Sequence, residues 1–162
     1  MGGSKMNEVG SFKIDHDVLE PGIYTSRVDF GDIVTYDIRY YLPNAGQYLS
    51  PASAHTIEHL FAVWIRSSEI GDNVIYFGPM GCLTGFYLIL KGVEHSVAVD
   101  AILRGMKAVA EWEGEIPAAK RKNCGNYLMH DLVATKLEAK RFCEKAKGWT
   151  ADMLDYPGMI EE

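Results

Sequence analysis

The chain has 162 residues, of which 48% are hydrophobic and 23% are charged, so its length and composition are those of a globular protein with one core. Its 22 acidic and 16 basic residues give a net charge of −6, and Lys and Arg form no long block, which argues against a nucleic-acid partner. No apolar run approaches the roughly 20 residues of a membrane span, and the N-terminal residues lack the apolar stretch of a signal peptide, so we expect a cytoplasmic protein without a membrane partner.

The first half of the chain reads as strands around one helix. Residues 1–10 are expected to be a flexible extension or an artificial remnant, and residues 11–162 a single domain. From Gly22 to Tyr41, β-branched and aromatic residues alternate with polar ones and break at Gly31-Asp32, which predicts two strands and a tight turn. Loop residues follow, and Ser50 or Ser53 can cap a helix from about Ala52 to Ser67. Its apolar residues nearly encircle it, so the helix should be buried.

The second half of the chain reads as two strands followed by helices. Residues 74–78 and 84–91 are rich in Ile, Tyr, Phe and Leu, and Pro79-Met80-Gly81-Cys82 forms a bend between them. Helical spacing predicts one helix over 96–112 and another over 130–147, with a loop over 115–125 between them and a loosely held tail after Trp149. The fold class is therefore α+β, a two-layer single domain with helices on one side of an antiparallel sheet.

The sequence His55-Thr56-Ile57-Glu58-His59 places two imidazoles and a carboxylate on one face of the first helix. Residues three and four apart on a helix point the same way, so His55 and His59 can bind one metal ion. Glu58 lies beside them, where a carboxylate can move protons without ligating the metal. This motif predicts a metal-dependent reaction centre that still needs a third ligand.

Several residues could supply the third ligand. The candidates are Cys124, Cys82, His95, His130 and His16. Cys124 is preferred on local grounds, because it lies in a loop beside Gly125 and precedes a helical segment whose N-terminal dipole favours a thiolate. Such a His2Cys site suits zinc or ferrous iron. The three cysteines, Cys82, Cys124 and Cys143, are an odd number, so we expect reduced thiols and not a disulfide framework.

Cys82 is the candidate for a second reactive group. It lies on a glycine-flanked bend, and a nearby cation would hold it as a thiolate. Arg39, on a strand whose other residues read as sheet interior, is the candidate cation.

Five separated motifs resemble one family, the S-ribosylhomocysteine lyases or LuxS enzymes, which make the precursor of the autoinducer-2 signal. They are Ser11-Phe12-Lys13-Ile14-Asp15-His16, Tyr36-Asp37-Ile38-Arg39-Tyr40, His55-Thr56-Ile57-Glu58-His59-Leu60, Pro79-Met80-Gly81-Cys82-Leu83-Thr84-Gly85 and Cys124-Gly125-Asn126-Tyr127-Leu128-Met129-His130-Asp131-Leu132. Their order and spacing match the family from about Ser11 to the last helix. The resemblance implies a LuxS or processing-peptidase-like fold for the domain over 11–162.

The resemblance also implies a role for each matching residue. His55, His59 and Cys124 would ligate the metal, and Cys82 and Glu58 would be the acid/base pair. Ser11, His16 and Arg39 would line the substrate pocket. The implied cofactor is Fe²⁺, one per subunit, with Zn²⁺ or Co²⁺ as substitutes.

The implied reaction cleaves S-ribosylhomocysteine to homocysteine and 4,5-dihydroxy-2,3-pentanedione through aldose–ketose isomerisations and a β-elimination. Cys82 would serve the early proton transfers and Glu58 the later ones. The family forms a homodimer with active sites at the interface, and the same arrangement is implied here. The resemblance implies a place in the activated methyl cycle and in autoinducer synthesis for quorum sensing, and the sequence leaves open whether the product is used as a signal or homocysteine is only recycled.

One segment departs from the family and two other functions remain open. Many members carry Asp-Ile-Ser at the substrate's amino-acid end, where this chain has Tyr76-Phe77-Gly78. Zinc peptidases of the inverted type share the His-x-x-Glu-His pattern, but there Glu94, Glu111 or Glu113 would have to be the third ligand. A non-catalytic metal-binding module is the other alternative, and it would leave Cys82 without a role.

Overall fold

The computed structural model describes residues 9–158 and shows a two-layer α+β domain, which confirms the predicted fold class. Four strands form one antiparallel sheet in the order β1-β2-β4-β3. Their bounds are Gly22–Asp29 for β1, Ile33–Arg39 for β2, Val74–Pro79 for β3 and Gly85–Lys91 for β4. Every strand lies within about two residues of its predicted position. The described part of the predicted extension over 1–10 is limited to Val9 and Gly10.

The central strand β2 has two chemically different faces. Val34, Tyr36 and Ile38 are buried in the main core on the helical side of the sheet. Side chains alternate along a strand, so Asp37 and Arg39 point to the opposite face, where both are also buried. The sheet therefore carries an ion pair on the face that the helices do not cover.

Three helices pack on the other face of the sheet. They are α1 over Pro51–Arg66, α2 over His95–Ala110 and α3 over Leu132–Lys145. Ser50 caps α1 by accepting a hydrogen bond from the Ser53 amide at 3.1 Å. The expectation of an all-round buried α1 holds for most of the helix, but Val63 is exposed.

The last helix begins later than expected because Asp131 acts as its N-cap. The Asp131 carboxylate accepts a hydrogen bond from the Ala134 amide at 2.9 Å, so the first helical residue is Leu132 and not His130. Between residues 9 and 158, no helix combines the length and apolarity that a membrane crossing requires.

The prediction of a loosely held tail is wrong for the described residues after Trp149. A 3-10 turn spans Ala151–Met153, and the buried Leu154 accepts a hydrogen bond from the Thr25 amide of β1 at 2.8 Å. The Tyr156 ring then stacks on Tyr24 with ring centroids 4.9 Å apart. The C-terminal segment is thus fixed to β1 by one backbone hydrogen bond and one ring stack. The sequence around Leu154 and Tyr156 gives no sign of these partners, because both lie more than 100 residues earlier in the chain.

Candidate metal centre and the neighbouring thiol

Helix α1 brings the two predicted histidine ligands together on one face. The His55 and His59 rings lie edge to face with centroids 4.7 Å apart, and their Nε2 atoms are separated by 3.1 Å. Both rings are half-buried. The residue spacing of four thus produces the convergence that the helical periodicity predicts.

Backbone carbonyls fix the orientation of both imidazoles. His55 Nδ1 lies 2.8 Å from the carbonyl oxygen of Met129, and His59 Nδ1 lies 2.7 Å from that of Pro117. A carbonyl oxygen can only accept, so Nδ1 carries the proton in each ring and the lone pair of each Nε2 faces the other ring. This arrangement is the usual outer support of metal-binding histidines.

Cys124 is the third donor of the group. Its Sγ lies 3.3 Å from His55 Nε2, and its amide donates a hydrogen bond to the carbonyl of Lys120 at 3.0 Å, which fixes the turn of the loop that carries the thiol. Tetrahedral zinc with its usual bond lengths would place two nitrogen ligands about 3.3 Å apart and nitrogen and sulfur about 3.6 Å apart. The observed spacings are close to these values, so the donor set fits a bound metal ion.

The structure adds His130, one of the other candidates for the third ligand, to this group as a fourth possible donor. The ligand atoms of His55, His59, Cys124 and His130 all lie within 4.8 Å of one another. The His130 ring stacks on His55 with centroids 4.1 Å apart. The motif that carries Cys124 also carries His130 six residues later, but sequence spacing alone does not show that the loop returns to α1.

The hydrogen bonds of Thr56 determine which nitrogen of His130 is free. The Thr56 hydroxyl donates its one proton to the Ala52 carbonyl at 2.8 Å and accepts from the Asp131 amide at 3.0 Å. His130 Nδ1, 3.0 Å from the same oxygen, must therefore be a donor. Its Nε2 is buried without a partner among the described residues, so a lone pair is left available within the cluster.

The surroundings of His130 also disfavour its charged form. Burial, with the neighbouring His55 and His59 as smaller causes, lowers the pKa of His130 from 6.5 to about 4. A neutral imidazole is the form that can accept a hydrogen bond or ligate a metal.

The glutamates stand apart from this ligand group. Glu58 is half-buried on α1 one residue before His59, and it is not a member of the four-residue group. Glu94, Glu111 and Glu113, the third ligands that a peptidase would require, are not members either among residues 9–158. His95, another candidate ligand, instead meets the Tyr36 hydroxyl through Nδ1 at 2.7 Å.

A second group of residues surrounds Cys82, as the sequence suggested. Arg39 Nη1 lies 4.0 Å from Cys82 Sγ and donates a hydrogen bond to Thr84 Oγ1 at 2.8 Å. Thr84 Oγ1 in turn lies 3.1 Å from Cys82 Sγ. The exposed thiol of Cys82 therefore sits above a cation that is only 2% exposed.

Arg39 is held from below by a carboxylate. Its Nη2 donates to Asp37 Oδ2 at 2.6 Å, and the Tyr156 hydroxyl donates to the same oxygen at 2.8 Å. Asp37 Oδ1 and Arg39 Nε have no hydrogen-bond partner among the described residues. One carboxylate oxygen thus connects the C-terminal segment to the cation under Cys82.

Cys82 opens into a cleft of about 370 Å³. Its lining residues are His16, Pro43, Asn44, Gly46, Gln47, Tyr48, Cys82 and Thr84. The structure thus brings His16 to Cys82, with His16 Nδ1 2.8 Å from the Ile14 carbonyl oxygen. Ser11 begins the same N-terminal motif, but its side chain lies outside what the structure describes. Arg39 lies beneath this cleft, and its predicted contact with substrate stays a prediction.

The segment that departs from the family pattern has an unusual local packing. A Cβ atom added at Gly78 would lie 2.0 Å from the Tyr76 hydroxyl and 2.6 Å from its Cζ. The Tyr76 side chain therefore lies over the position that a side chain at residue 78 would use. Phe77 between them is buried in the core.

Comparison with known proteins agrees with the geometry. The sequence model of the family described as S-Ribosylhomocysteinase (LuxS) matches residues 9–153. An S-ribosylhomocysteine lyase of Clostridium acetobutylicum is 43% identical over 157 residues, which cover 94% of this chain and 99% of that protein. Proteins with the same name from Phocaeicola vulgatus and Clostridium beijerinckii are 44% and 46% identical, over 94% and 85% of this chain and 98% and 89% of their own lengths.

Proposed function

The chain belongs to the S-ribosylhomocysteinase (LuxS) family, and from this premise we propose that it cleaves S-ribosylhomocysteine to homocysteine and 4,5-dihydroxy-2,3-pentanedione, the precursor of autoinducer-2. The observation that carries the proposal is the convergence of His55, His59 and Cys124, each held by backbone hydrogen bonds, on one point. The product would serve homocysteine recycling in the activated methyl cycle, quorum sensing, or both.

His55, His59 and Cys124 would hold one metal ion per subunit, Fe²⁺ in the working enzyme with Zn²⁺ or Co²⁺ as substitutes. Two imidazoles and a thiolate suit all three ions. When bound, the ion supplies Lewis-acid chemistry, which polarises a substrate oxygen and acidifies the adjacent C–H bond. No net oxidation occurs in the reaction, so the ion needs no change of redox state.

The chain's own groups would move the protons. Cys82, as a thiolate beside Arg39, removes the C2 proton and returns it to C1, which shifts the carbonyl from C1 to C2, and the same exchange between C3 and C2 moves it to C3. Glu58 then removes the proton from C4, and the electron pair of that bond expels homocysteine from C5 as a thiolate. Each proton taken up is returned to substrate or leaving group, so atoms and electrons balance.

Substrate binding would fall to Ser11, His16 and Arg39. The position of His16 in the cleft beside Cys82 supports this assignment, because a half-buried imidazole there can hydrogen-bond a sugar hydroxyl. Arg39 would act on the substrate from beneath, through the positive potential that it contributes to the cleft floor.

We further propose a homodimer with its active sites at the interface. The cleft of Cys82 contains none of the metal-group residues in its lining, so a second copy could complete each site. Leu128, 79% exposed, lies in the segment between Cys124 and His130, and Val133, 75% exposed, lies in the first turn of α3, so both provide apolar surface for such contact. The three free cysteines, one of which is the proposed ligand Cys124, support a cytoplasmic location.

The experiment supplies S-ribosylhomocysteine to protein loaded anaerobically with Fe²⁺ and follows free thiol with a chromogenic disulfide. We expect stoichiometric release of homocysteine. Cys82→Ser should keep its metal and lose turnover, whereas the matched Cys143→Ser on α3 should keep both, because Cys143 lies outside both groups. Absence of thiol release from metal-loaded protein would overturn the proposal, and equal activity of the two variants would remove Cys82 from the mechanism.

A further inference from the structure

We propose that Tyr156, which follows the residues 9–153 that the family model matches, is a positioning residue that sets how strongly Arg39 stabilises the Cys82 thiolate, through its hydrogen bond to Asp37. The inference rests on the proposed role of Cys82 as a base. It concerns residues on three segments that are far apart in the sequence, β2, the bend before β4, and the C-terminal segment.

The contacts form one continuous line. The Tyr156 hydroxyl donates to Asp37 Oδ2 at 2.8 Å, and Arg39 Nη2 donates to the same oxygen at 2.6 Å. Arg39 Nη1 then lies 4.0 Å from Cys82 Sγ. Asp37 and Arg39 are both buried, so their charges are weakly screened and each hydrogen bond to them has a large effect.

The sign of the effect follows from competition for one cation. Asp37 and the Cys82 thiolate both attract Arg39. A hydrogen bond from Tyr156 draws negative charge from Asp37 and so leaves more of the Arg39 field for Cys82. Without that bond, Asp37 attracts Arg39 more strongly and the thiolate is less stable.

Tyr156 is well suited to remain a donor. Burial raises the pKa of Tyr156, and the charge of Asp37 raises it further, so the hydroxyl keeps its proton. Its ring stacks on Tyr24 and packs with Ile14 and Leu19 in a small core under the N-terminal segment. This packing holds the hydroxyl at Asp37 and also supports the segment that carries His16.

Other ionisable groups face the same residues and remain constant in the test. Around Asp37 and Arg39 they are Tyr24 from β1 and His16 from the N-terminal segment, Tyr87 of β4 faces Tyr156, and His16 and Tyr48 line the cleft of Cys82. None of these residues is substituted in Tyr156→Phe, so the two curves differ by the loss of the Tyr156 hydroxyl alone.

The test measures the rate of Cys82 alkylation by iodoacetamide against pH in the metal-loaded protein, with the modified peptide identified by mass spectrometry. Tyr156→Phe should move the midpoint of this rate-against-pH curve upward by about half a pH unit or more. Tyr24→Phe is the matched control, because its hydroxyl donates to the Glu20 carbonyl at 2.9 Å and not to Asp37. It removes a hydroxyl from the same cluster and should leave the midpoint unchanged.

A second variant tests the opposite direction without removing the ring. Tyr156→3-fluorotyrosine gives a stronger donor of nearly the same shape and should lower the midpoint. Unchanged midpoints in both Tyr156 variants, or equal shifts in Tyr156→Phe and Tyr24→Phe, would overturn the inference. If thiol release from substrate is normal while these midpoints do not move, the lyase function stands and only the role of Tyr156 fails.

Discussion

Substitutions of the buried pair Asp37 and Arg39 should have different effects on the stability of the fold and on the reactivity of Cys82. Replacing one partner, by Asp37→Leu or by Arg39→Met, leaves an uncompensated buried charge, and such changes cost about 3–5 kcal/mol. Replacing both removes the two charges together. The hydroxyls of Tyr156 and Thr84 then each lose one hydrogen bond, at about 1 kcal/mol each.

These magnitudes give different outcomes for the single and double variants. If the two substitutions acted independently, the double variant would lose roughly 6–10 kcal/mol, comparable with the whole stability of about 5–15 kcal/mol that domains possess. We expect instead a loss of about 2 kcal/mol in the double variant. For a chain of this length the midpoint of thermal unfolding should then fall by roughly 4–8 °C, against roughly 6–20 °C for each single variant.

Urea unfolding at one fixed protein concentration provides the free energies, with the slope against urea as a check that the same surface is exposed. Alkylation of Cys82 is measured on the same samples. The double variant should be folded but should react more slowly at neutral pH, because the cation beside the thiol is gone. A double variant less stable than either single one, or one with undiminished Cys82 reactivity, would refute the reasoning.

Three further predictions concern α1, the helix interface and the cluster. Ser50→Ala should lower the free energy of unfolding by about 1 kcal/mol, measured by urea, because α1 loses its N-cap. Gly105→Ala should destabilise the protein by about 1 kcal/mol despite better helix propensity, because the new Cβ would lie 2.5 Å from the Phe61 ring. In metal-free protein, NMR titration should find His130 neutral at pH 6, with a pKa lowered to about 4. A lowered histidine pKa means that the unfolded chain binds the extra proton first, so stability should fall as pH drops from 6.5 towards 4.

Each of these has a matched control or a contrary outcome. Ser50→Asp keeps an acceptor at the cap and should retain stability, so an equal loss in both variants would contradict the capping role. Gly10→Ala makes the same chemical change where the new Cβ meets nothing within 4 Å and should be nearly neutral. A stabilising Gly105→Ala, or a His130 that titrates near 6.5 in metal-free protein, would contradict the packing and burial described.

The elements were predictable because their signals are local. Turn residues at 31–32 and the cap at Ser50 lie within a few positions of the boundaries they set. The paired histidines follow from helical periodicity in the same way, and the glycine beside Cys124 marks its loop. The approach of Arg39 to Cys82 was also predictable, because a cation on a strand of otherwise interior residues is a candidate partner for a thiolate.

The features of the site and the tail that were not predicted depend on contacts between residues far apart in the sequence, which no local pattern indicates. The carbonyls of Pro117 and Met129 orient the histidines, but every residue has a carbonyl, so no residue type signals this role. His130 joins the cluster because the loop after Cys124 returns to Thr56, 74 residues away in the sequence. Tyr156 and Asp37 are 119 residues apart, and their contact helps to explain why the described residues after Trp149 are fixed to the sheet, although their own sequence does not predict it.

The packing of Tyr76 over Gly78 constrains the order in which this edge strand can change. A side chain gained first at position 78 would displace the Tyr76 ring, whose exposed outer edge allows it to swing into solvent at modest cost. A smaller residue gained first at position 76 would instead leave the backbone of Gly78 uncovered beside the bend that carries Cys82. The two residues should therefore be exchanged between relatives as a coupled pair. Each single substitution should lower the free energy of unfolding by more than the double exchange does.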